Sequence, residues 1–437
     1  MGTERYRATH VLTQDADDRW LRDGVVDVQD GRITWVGEAS DAPAHDELVT
    51  IELNGLLLPG FVDAHAHSPM VLLRGAGEGL PVGRWLTEVM WPREARLTPD
   101  DVRAGMTLGA AQLLSGGVTT SAEMYFHPEA MAEGARTAGL RSLIAPPLLV
   151  AEGMEELGSW EAQLEQMVDF ARANQDDPLI DGVIGPHSAY AVPEVPLREA
   201  GRVAAAEGLL LHLHVAEQEH EGQLIFEEHG VSVPRFLEQL GVFDARVLAA
   251  HGVWLSEQDI AILAEHDVGV AHCPLSNGKH ASGLAPVSEL RQAGIPVAVA
   301  TDGPASHDRL DLFEEMRTAI RLARLRAQDA AALGPRDALR MVTREAAAAL
   351  GRDDLGAIEA GRRADLVLVD IDPVALSPVV EDEDVLTHLV WSGTPSLVRH
   401  VWVDGRQVVQ EGEVASVDVP AVAAEVTQRA RRIAAEA

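Results

Sequence analysis

The chain opens with short stretches in which apolar and polar positions alternate, separated by turn residues. Gly24-Val25-Val26-Asp27-Val28, the turn Asp30-Gly31, and Arg32-Ile33-Thr34-Trp35-Val36-Gly37 read as short paired strands in a segment that runs to about Leu58. The pattern returns late, in Ala364-Asp365-Leu366-Val367-Leu368-Val369-Asp370 and in the run from Val398 to Val409. Strand-rich ends around a long middle predict one small β-sandwich domain formed from both chain ends, residues 1–58 and 356–437. Its last part, Val419 to Ala437, reads as a charged surface helix.

Between Gly60 and about Gly351 the pattern changes. Short apolar runs alternate with Ala- and Leu-rich stretches of helical period, such as Asp100 to Ser115 and Leu310 to Ala327. Eight runs read as strands: Phe61 to His65, Val118 to Met124, Arg141 to Leu149, Ile180 to His187, Leu209 to His214, Val247 to His251, Val268 to Cys273 and Val297 to Asp302. This alternation predicts the α/β class and a (β/α)8 TIM barrel over residues 59–355. No G-x-G-x-x-G follows an early strand, which argues against a doubly wound dinucleotide-binding sheet.

Many of these runs end on a residue that can ligate a metal or move a proton. His65 and His67 follow the first, His187 ends the fourth, His212 and His214 end the fifth with Glu217 beyond, His251 ends the sixth, and Asp302 ends the eighth. Barrel enzymes assemble their active sites at this end of the strands. Alternate residues of a strand face the same way, so His65 and His67 can reach one cation together. Neutral imidazoles with one carboxylate suit Zn2+ or Fe2+ and leave a position for water, whose pKa the metal lowers toward about 7. The place of His212 depends on how far its strand continues, and His220 and His229 fall on a solvated helix.

Composition removes several classes. The formal charge of −34 would repel a phosphate backbone, so no nucleic-acid partner is expected. No apolar run approaches the roughly 18 residues of a membrane span, and Met1 to Asp15 lacks a signal-peptide layout, so a cytoplasmic protein with no membrane partner is expected. Cys273 is the one cysteine, which excludes an internal disulfide and a cysteine-based zinc knuckle. It reads as a small buried apolar residue.

Taken in order, Pro59-Gly60-Phe61-Val62-Asp63-Ala64-His65-Ala66-His67, the H-x-x-E of His214 to Glu217, His251-Gly252 and Thr301-Asp302-Gly303 resemble the motifs of the amidohydrolase superfamily across nearly the whole chain. The resemblance implies that His65, His67, His214 and Asp302 hold the metal. It implies that His251 touches the attacking water or the developing oxyanion and that Glu217 carries the proton to the leaving nitrogen, with Asp302 a third catalytic group. Superfamily members with two metals bridge them through a carboxylated lysine or a glutamate after the fourth strand. Here that strand ends Gly185-Pro186-His187 and the one lysine, Lys279, lies after the seventh, so one metal per subunit is expected.

Within the superfamily the chain is most similar to the 5-methylthioadenosine/S-adenosylhomocysteine deaminases and their chlorohydrolase relatives. The motifs are Met70-Val71-Leu72-Leu73-Arg74-Gly75, Trp85-Leu86, Trp91-Pro92-Arg93-Glu94, Met124-Tyr125-Phe126-His127, Gly185-Pro186-His187-Ser188-Ala189-Tyr190, His272-Cys273-Pro274-Leu275-Ser276-Asn277 and Asp302-Gly303-Pro304-Ala305-Ser306. This implies substrate contacts from Glu94, His187 and Glu217, and hydrolytic deamination of an adenosine-type nucleoside with release of ammonia. One feature departs from the group: an arginine pair that follows its third strand is replaced here by Ala145 to Met154, with no arginine until Arg172. Hydrolysis of another ring or amidine, such as a guanine-like base, pterin, triazine or formimino compound, stays open. So does a metal-binding scaffold without catalysis, although Glu217 and His251 argue against it. The expected partner is a small heterocyclic substrate, and barrels of this kind often form homodimers.

Overall fold

The computed structural model describes residues 3–44, 49–150, 154–372 and 374–436. The first segment contributes β1 Glu4–Leu12, β2 Trp20–Gln29, β3 Arg32–Glu38 and β4 Val49–Pro59. The middle contributes β5 Phe61–Ala66, β6 Val118–Met124, β7 Arg141–Ala145, β8 Pro147–Leu148, β9 Ile180–Gly182 and β10 Gly185–Pro186. It continues with β11 Leu211–Val215, β12 Val247–His251, β13 Gly269–His272 and β14 Val297–Val299. The last segment adds β15 Leu366–Val369, β16 Val398–Val403, β17 Arg406–Gln410 and β18 Glu413–Val414.

Both chain ends share one eight-stranded sheet, ordered β18-β17-β16-β15-β4-β1-β2-β3. The seam is the antiparallel pairing of β4 with β15, which sets Leu58 opposite Val367 and Leu57 opposite Leu368. In a flat sheet Tyr6 of β1 and Trp402 of β16 would stand three strand spacings apart, about 14 Å. Their rings lie 5.1 Å apart, so the sheet curls over its own apolar face.

The parallel strands form two four-stranded sheets, β5-β6-β7-β9 and β11-β12-β13-β14. Every residue of β5, β6, β7, β11, β12, β13 and β14 is buried, the pattern of parallel strands covered on both faces. Isolated parallel bridges join the two sheets at both edges, Ala66 with Asp302 and Ile184 with Leu211. At the first edge the Asp302 N–H donates to the His65 carbonyl at 2.8 Å. There the Asp63 carboxylate also accepts the Thr301 N–H at 3.0 Å and the Thr301 hydroxyl at 2.5 Å. Small side chains such as Val62, Ala64, Ala122, Ala145, Ala271 and Ala298 form a separate apolar cluster on these strands.

Two expected strands are interrupted. Arg141 to Leu149 breaks at Pro146, which has no N–H to give a ladder, and resumes as β8. Ile180 to His187 breaks where the chain changes partners: the Val183 N–H reaches the Ile144 carbonyl of β7, and the next N–H, of Ile184, reaches the Leu210 carbonyl beside β11.

Local chemistry sets the helices and the passage between the two units. The helix Pro99–Ser115 starts on a capping box, Thr98 with Asp101, has proline at its first position and stops at Gly116. The terminal helix Val419–Glu436 docks on it through Arg429 and Arg432, which both pair with the buried Asp101 carboxylate. Between β4 and β5, a Cβ on Gly60 would sit 2.1 Å from Thr119 Oγ1, so only glycine lets the chain cross there and seat His65 at its depth. A fully buried ion pair of Arg141 with Asp365 ties the parallel strands to the mixed sheet. Among the described residues no helix is long and apolar enough to cross a membrane.

Candidate metal and catalytic site

The imidazoles expected at the strand ends meet. His65 lies within β5 and His67 just beyond it, His214 is in β11, and His251 ends β12. The His65 ring stands 4.7 Å from that of His67, 5.0 Å from that of His214 and 5.5 Å from that of His251. Asp302 Oδ1 approaches His67 Nε2 at 3.2 Å and His65 Nε2 at 3.5 Å. Donor nitrogens of His65, His67 and His214 all lie within 4.8 Å of one another. His251, Asp302 and Ala216 adopt left-handed backbone conformations, with φ of 73°, 61° and 52°. Non-glycine residues hold such angles at some cost, so the turns that aim these groups are imposed by the surrounding fold.

Each ring is fixed from behind through Nδ1. His67 Nδ1 bonds to the Met124 carbonyl at 2.5 Å, His214 Nδ1 to the His187 carbonyl at 2.8 Å, and His65 Nδ1 to His212 Nε2 at 2.8 Å. His251 Nδ1 meets Asn277 Oδ1 at 3.0 Å. Every Nε2 is thereby left for the centre, which is how proteins orient metal-binding histidines. His65 Nε2 is buried without a hydrogen-bond partner among the described residues. The Ser306 hydroxyl steadies Asp302 through Oδ2 at 3.0 Å.

The electrostatics agree with a cation at this point. Burial pushes His65 down to about 4, and burial with neighbouring imidazoles holds His214 and His212 well below the usual histidine range, so these rings are neutral donors. Burial alone would raise Asp302, but its contacts with His65 and His67 hold it well below the usual carboxylate range. Burial would lower His67, but its contact with Asp302 raises it above the usual histidine range. A charged carboxylate and the neutral nitrogens of His65 and His214 facing one point are stable around a positive ion, and two or three imidazoles with a carboxylate are a zinc-type donor set. A second group, His65, His251 and Cys273, is equally close. There the Cys273 thiol is raised far above its normal pKa by burial and nearby carboxylates, and a neutral thiol is a poor ligand.

Above this centre lies a cavity with about 630 Å³ of empty space, its mouth included. His67, His187, His214, Glu217, His251, Asp302 and Glu94 all line it, while His65 is buried beneath. Met70, Val82, Trp85, Leu86 and Trp91 make its apolar wall. Burial pushes Glu94 up to about 7 and raises Glu217 above the usual carboxylate range. It pushes His187 down to about 3. Lys279 does not line the cavity; it pairs with Asp308 at 2.6 Å and Glu78 at 3.4 Å.

Sequence reasoning left other contributors unassigned. His212 supports His65, Asp63 joins the first strand edge to the last, and the Glu123 carboxylate accepts the Ser68 N–H and hydroxyl at 2.8 and 2.6 Å beside His67. His220 is exposed and His229 half-buried on the helix Glu219–His229, as expected. That helix also buries Glu221, four residues beyond Glu217; the Oε2 of Glu221 accepts the Glu217 N–H at 2.9 Å while its Oε1 finds no partner among the described residues.

Burial and the charge of Glu217 push Glu221 from 4.5 up to about 8. Between those values the folded protein holds a proton that the unfolded chain has released, so stability is lost as pH rises from about 4.5 through about 8. Glu221→Gln keeps the acceptor and removes the titration. The variant should be more stable than the parent at pH 8, with the difference fading toward pH 4.5. Thermal unfolding midpoints across that range check this, and a difference independent of pH would refute it.

Imidazoles and a carboxylate gathered at the C-terminal ends of parallel strands, under a cavity holding a buried acid, define a class of hydrolases that act with a metal's help. The sequence profile of the Amidohydrolase family matches residues 56–408, and the chain belongs to that family. It is 38% identical over 428 residues to a 5-methylthioadenosine/S-adenosylhomocysteine deaminase of Pelotomaculum thermopropionicum, with 97% of each chain covered. It is 36% identical over 430 residues to a 5'-deoxyadenosine deaminase of Methanosarcina acetivorans, with 98% of each covered. A crystal structure of an adenosine deaminase from Xanthomonas campestris with bound zinc matches with a TM-score of 0.93 at 32% identity, covering 99% of this chain and 98% of that one.

Proposed function

We propose that the protein is a metal-dependent aminohydrolase that replaces the ring amino group of an adenosine-type nucleoside with oxygen and releases ammonia. The observation that carries this reading is the convergence of His65, His67, His214 and Asp302 under a cavity walled by Glu217 and His251. Deaminase relatives of nearly equal length support the adenosine-type substrate. The four converging groups would hold one divalent cation, zinc by the nature of the donors and by similarity to the zinc-bound adenosine deaminase. When bound, it supplies Lewis acidity that makes water a nucleophile near neutral pH.

The remaining chemistry belongs to the side chains. Asp302, held charged, accepts a proton from the attacking water. His251, its Nδ1–H given to Asn277 Oδ1, presents the Nε2 lone pair to a proton of the attacking water and orients it on the ring carbon. Glu217, raised above the usual carboxylate range by burial, hydrogen-bonds the ring nitrogen and carries a proton to the departing ammonia. Glu94 and His187 hold the ring and its sugar, and the wall of Trp85 and Trp91 excludes bulk water.

This reading includes the architecture. The bridges at both sheet edges support a closed (β/α)8 barrel over residues 59–355, and the curl of the mixed sheet supports a small β-sandwich domain from residues 1–58 and 356–437. The test is ammonia release by the zinc-loaded protein on adenosine, 5'-deoxyadenosine, 5-methylthioadenosine and S-adenosylhomocysteine, beside guanine, cytosine, pterins and aminotriazines. Turnover of adenine nucleosides is expected. Silence on all of them with activity on another ring would replace the substrate.

A further inference from the structure

One stretch of chain forms much of the apolar wall of the catalytic cavity: Val82, Trp85, Leu86 and Trp91 line it, and so does Glu94 at the end of the stretch. The outer face, at Arg84, Thr87 and Glu88, is in solvent. The stretch is not one regular helix but a single turn Val82–Trp85, a wider π-helical turn Leu86–Met90 and a further turn Trp91–Glu94. Before it the chain runs Arg74-Gly75-Ala76-Gly77-Glu78-Gly79, and the three glycines have φ of 75°, 73° and 78°. Arg74 is tied to Gln112 of the helix Pro99–Ser115 at 2.8 Å, so the base of this loop is anchored. A Cβ on Gly77 would sit 2.5 Å from the Trp85 ring, whereas on Gly79 it would meet nothing within 4 Å. Glycine lets the loop pass the indole at the first position and turn freely at the second.

Two neighbouring residues from another strand end clasp this loop and wall. Lys279, the one lysine of the chain, reaches Asp308 at 2.6 Å and Glu78 at 3.4 Å, and so ties together the segments that follow β5, β13 and β14. The Nδ1 of His280 bonds the Leu80 carbonyl at 3.3 Å, and its ring stands 4.9 Å from that of Trp85. The Trp85 indole N–H donates to the Ala76 carbonyl at 3.1 Å, which fastens the glycine loop to the wall it precedes. The ionic links are partly open to solvent: Lys279 is 19% exposed, Asp308 43% and Glu78 75%. Ion pairs so placed are weak and are screened by salt. A closure that opens on every turnover needs links of this strength.

We propose that residues 75–94 form a lid over the catalytic cavity, hinged at Gly75 to Gly79 and latched by Lys279 and His280, and that Lys279 is a positioning residue for the reaction. The lid opens to admit the substrate and closes to set Trp85, Trp91 and Glu94 against it; that the substrate is a nucleoside rests on the reading above. Lys279 does not line the cavity, so it acts through Glu78 and Asp308 and not on the reacting atoms. Removing its charge makes the closed wall less favoured relative to the open one. Substrate binding, which the closed wall supports, then weakens while the chemistry at the centre proceeds as before.

The experiment measures amide hydrogen–deuterium exchange and steady-state kinetics on the zinc-loaded parent, Lys279→Met, Lys279→Arg and Glu78→Gln. In Lys279→Met the amides of residues 75–94 should exchange about three- to tenfold faster, with exchange elsewhere and metal content unchanged. KM for 5'-deoxyadenosine should rise by a similar factor while kcat changes less than about twofold. Lys279→Arg should return both toward the parent. Glu78→Gln, on an exposed side chain, should show the same pattern at smaller size, and it carries the test if Lys279→Met does not fold. Exchange at residues 75–94 that equals the parent's, or that rises throughout the molecule, overturns the proposal, as does a loss confined to kcat. A parent that turns over no adenine nucleoside overturns the deaminase reading, and exchange at residues 75–94 then decides the lid by itself.

Discussion

Glu217→Gln should keep its metal and lose about a thousandfold in kcat, the middle of the range for removing a positioned general acid–base group. The side chain is buried at the cavity wall, three residues after His214, and is not among the donors that converge on Asp302. Glutamine keeps the volume and can still hydrogen-bond a ring nitrogen. It cannot take up a proton and deliver it to a leaving nitrogen, so the loss should fall on kcat while KM moves little. Metal content after extensive dialysis, measured beside single-turnover rates on an adenine nucleoside, checks both halves. A variant that loses metal and activity together would move Glu217 into the ligand set, and one that keeps full activity would remove it from the reaction.

Much of this site was legible because strand geometry is local. The spacing of His65 and His67 already places both rings on one side of an extended chain, and the strands predicted at Val118 to Met124 and Val247 to His251 have those bounds in the structure. Pairing is another matter. The contact of His65 with His212 spans 147 residues and that of Asp63 with Thr301 spans 238, and no local pattern states which strand edges meet. The same gap explains why alternating segments at the two chain ends pointed to a shared β unit but not to one continuous sheet seamed at β4 and β15. Helix periodicity could have found Glu221, one turn before the buried Ile225, yet its burial depends on how the helix Glu219–His229 lies against the parallel strands.

Asp302 is where the largest combined loss is expected, because the proposed function gives it a place both in the donor set and in taking the proton from water. Its Oδ1 stands 3.2 Å from His67 Nε2 and 3.5 Å from His65 Nε2, and its Oδ2 is held by Ser306. Removing the carboxylate leaves neutral imidazoles to bind a divalent cation without a compensating negative charge. Asp302→Asn and Asp302→Ala should each weaken metal binding on the order of a hundredfold or more and lower kcat/KM by at least about a thousandfold. The two variants separate fold from function. At φ 61° alanine adds backbone strain of about 1–2 kcal/mol, whereas asparagine tolerates the left-handed region, so the asparagine variant should keep more of the parent's thermal stability. Excess zinc should refill the Asp302→Asn site and restore only a small part of turnover, because the missing proton acceptor does not return with the cation. It should do nothing for Glu217→Gln, whose site is already full. Unchanged metal content in both Asp302 variants would take this residue out of the donor set and leave its contacts with His65 and His67 without a cation to explain them.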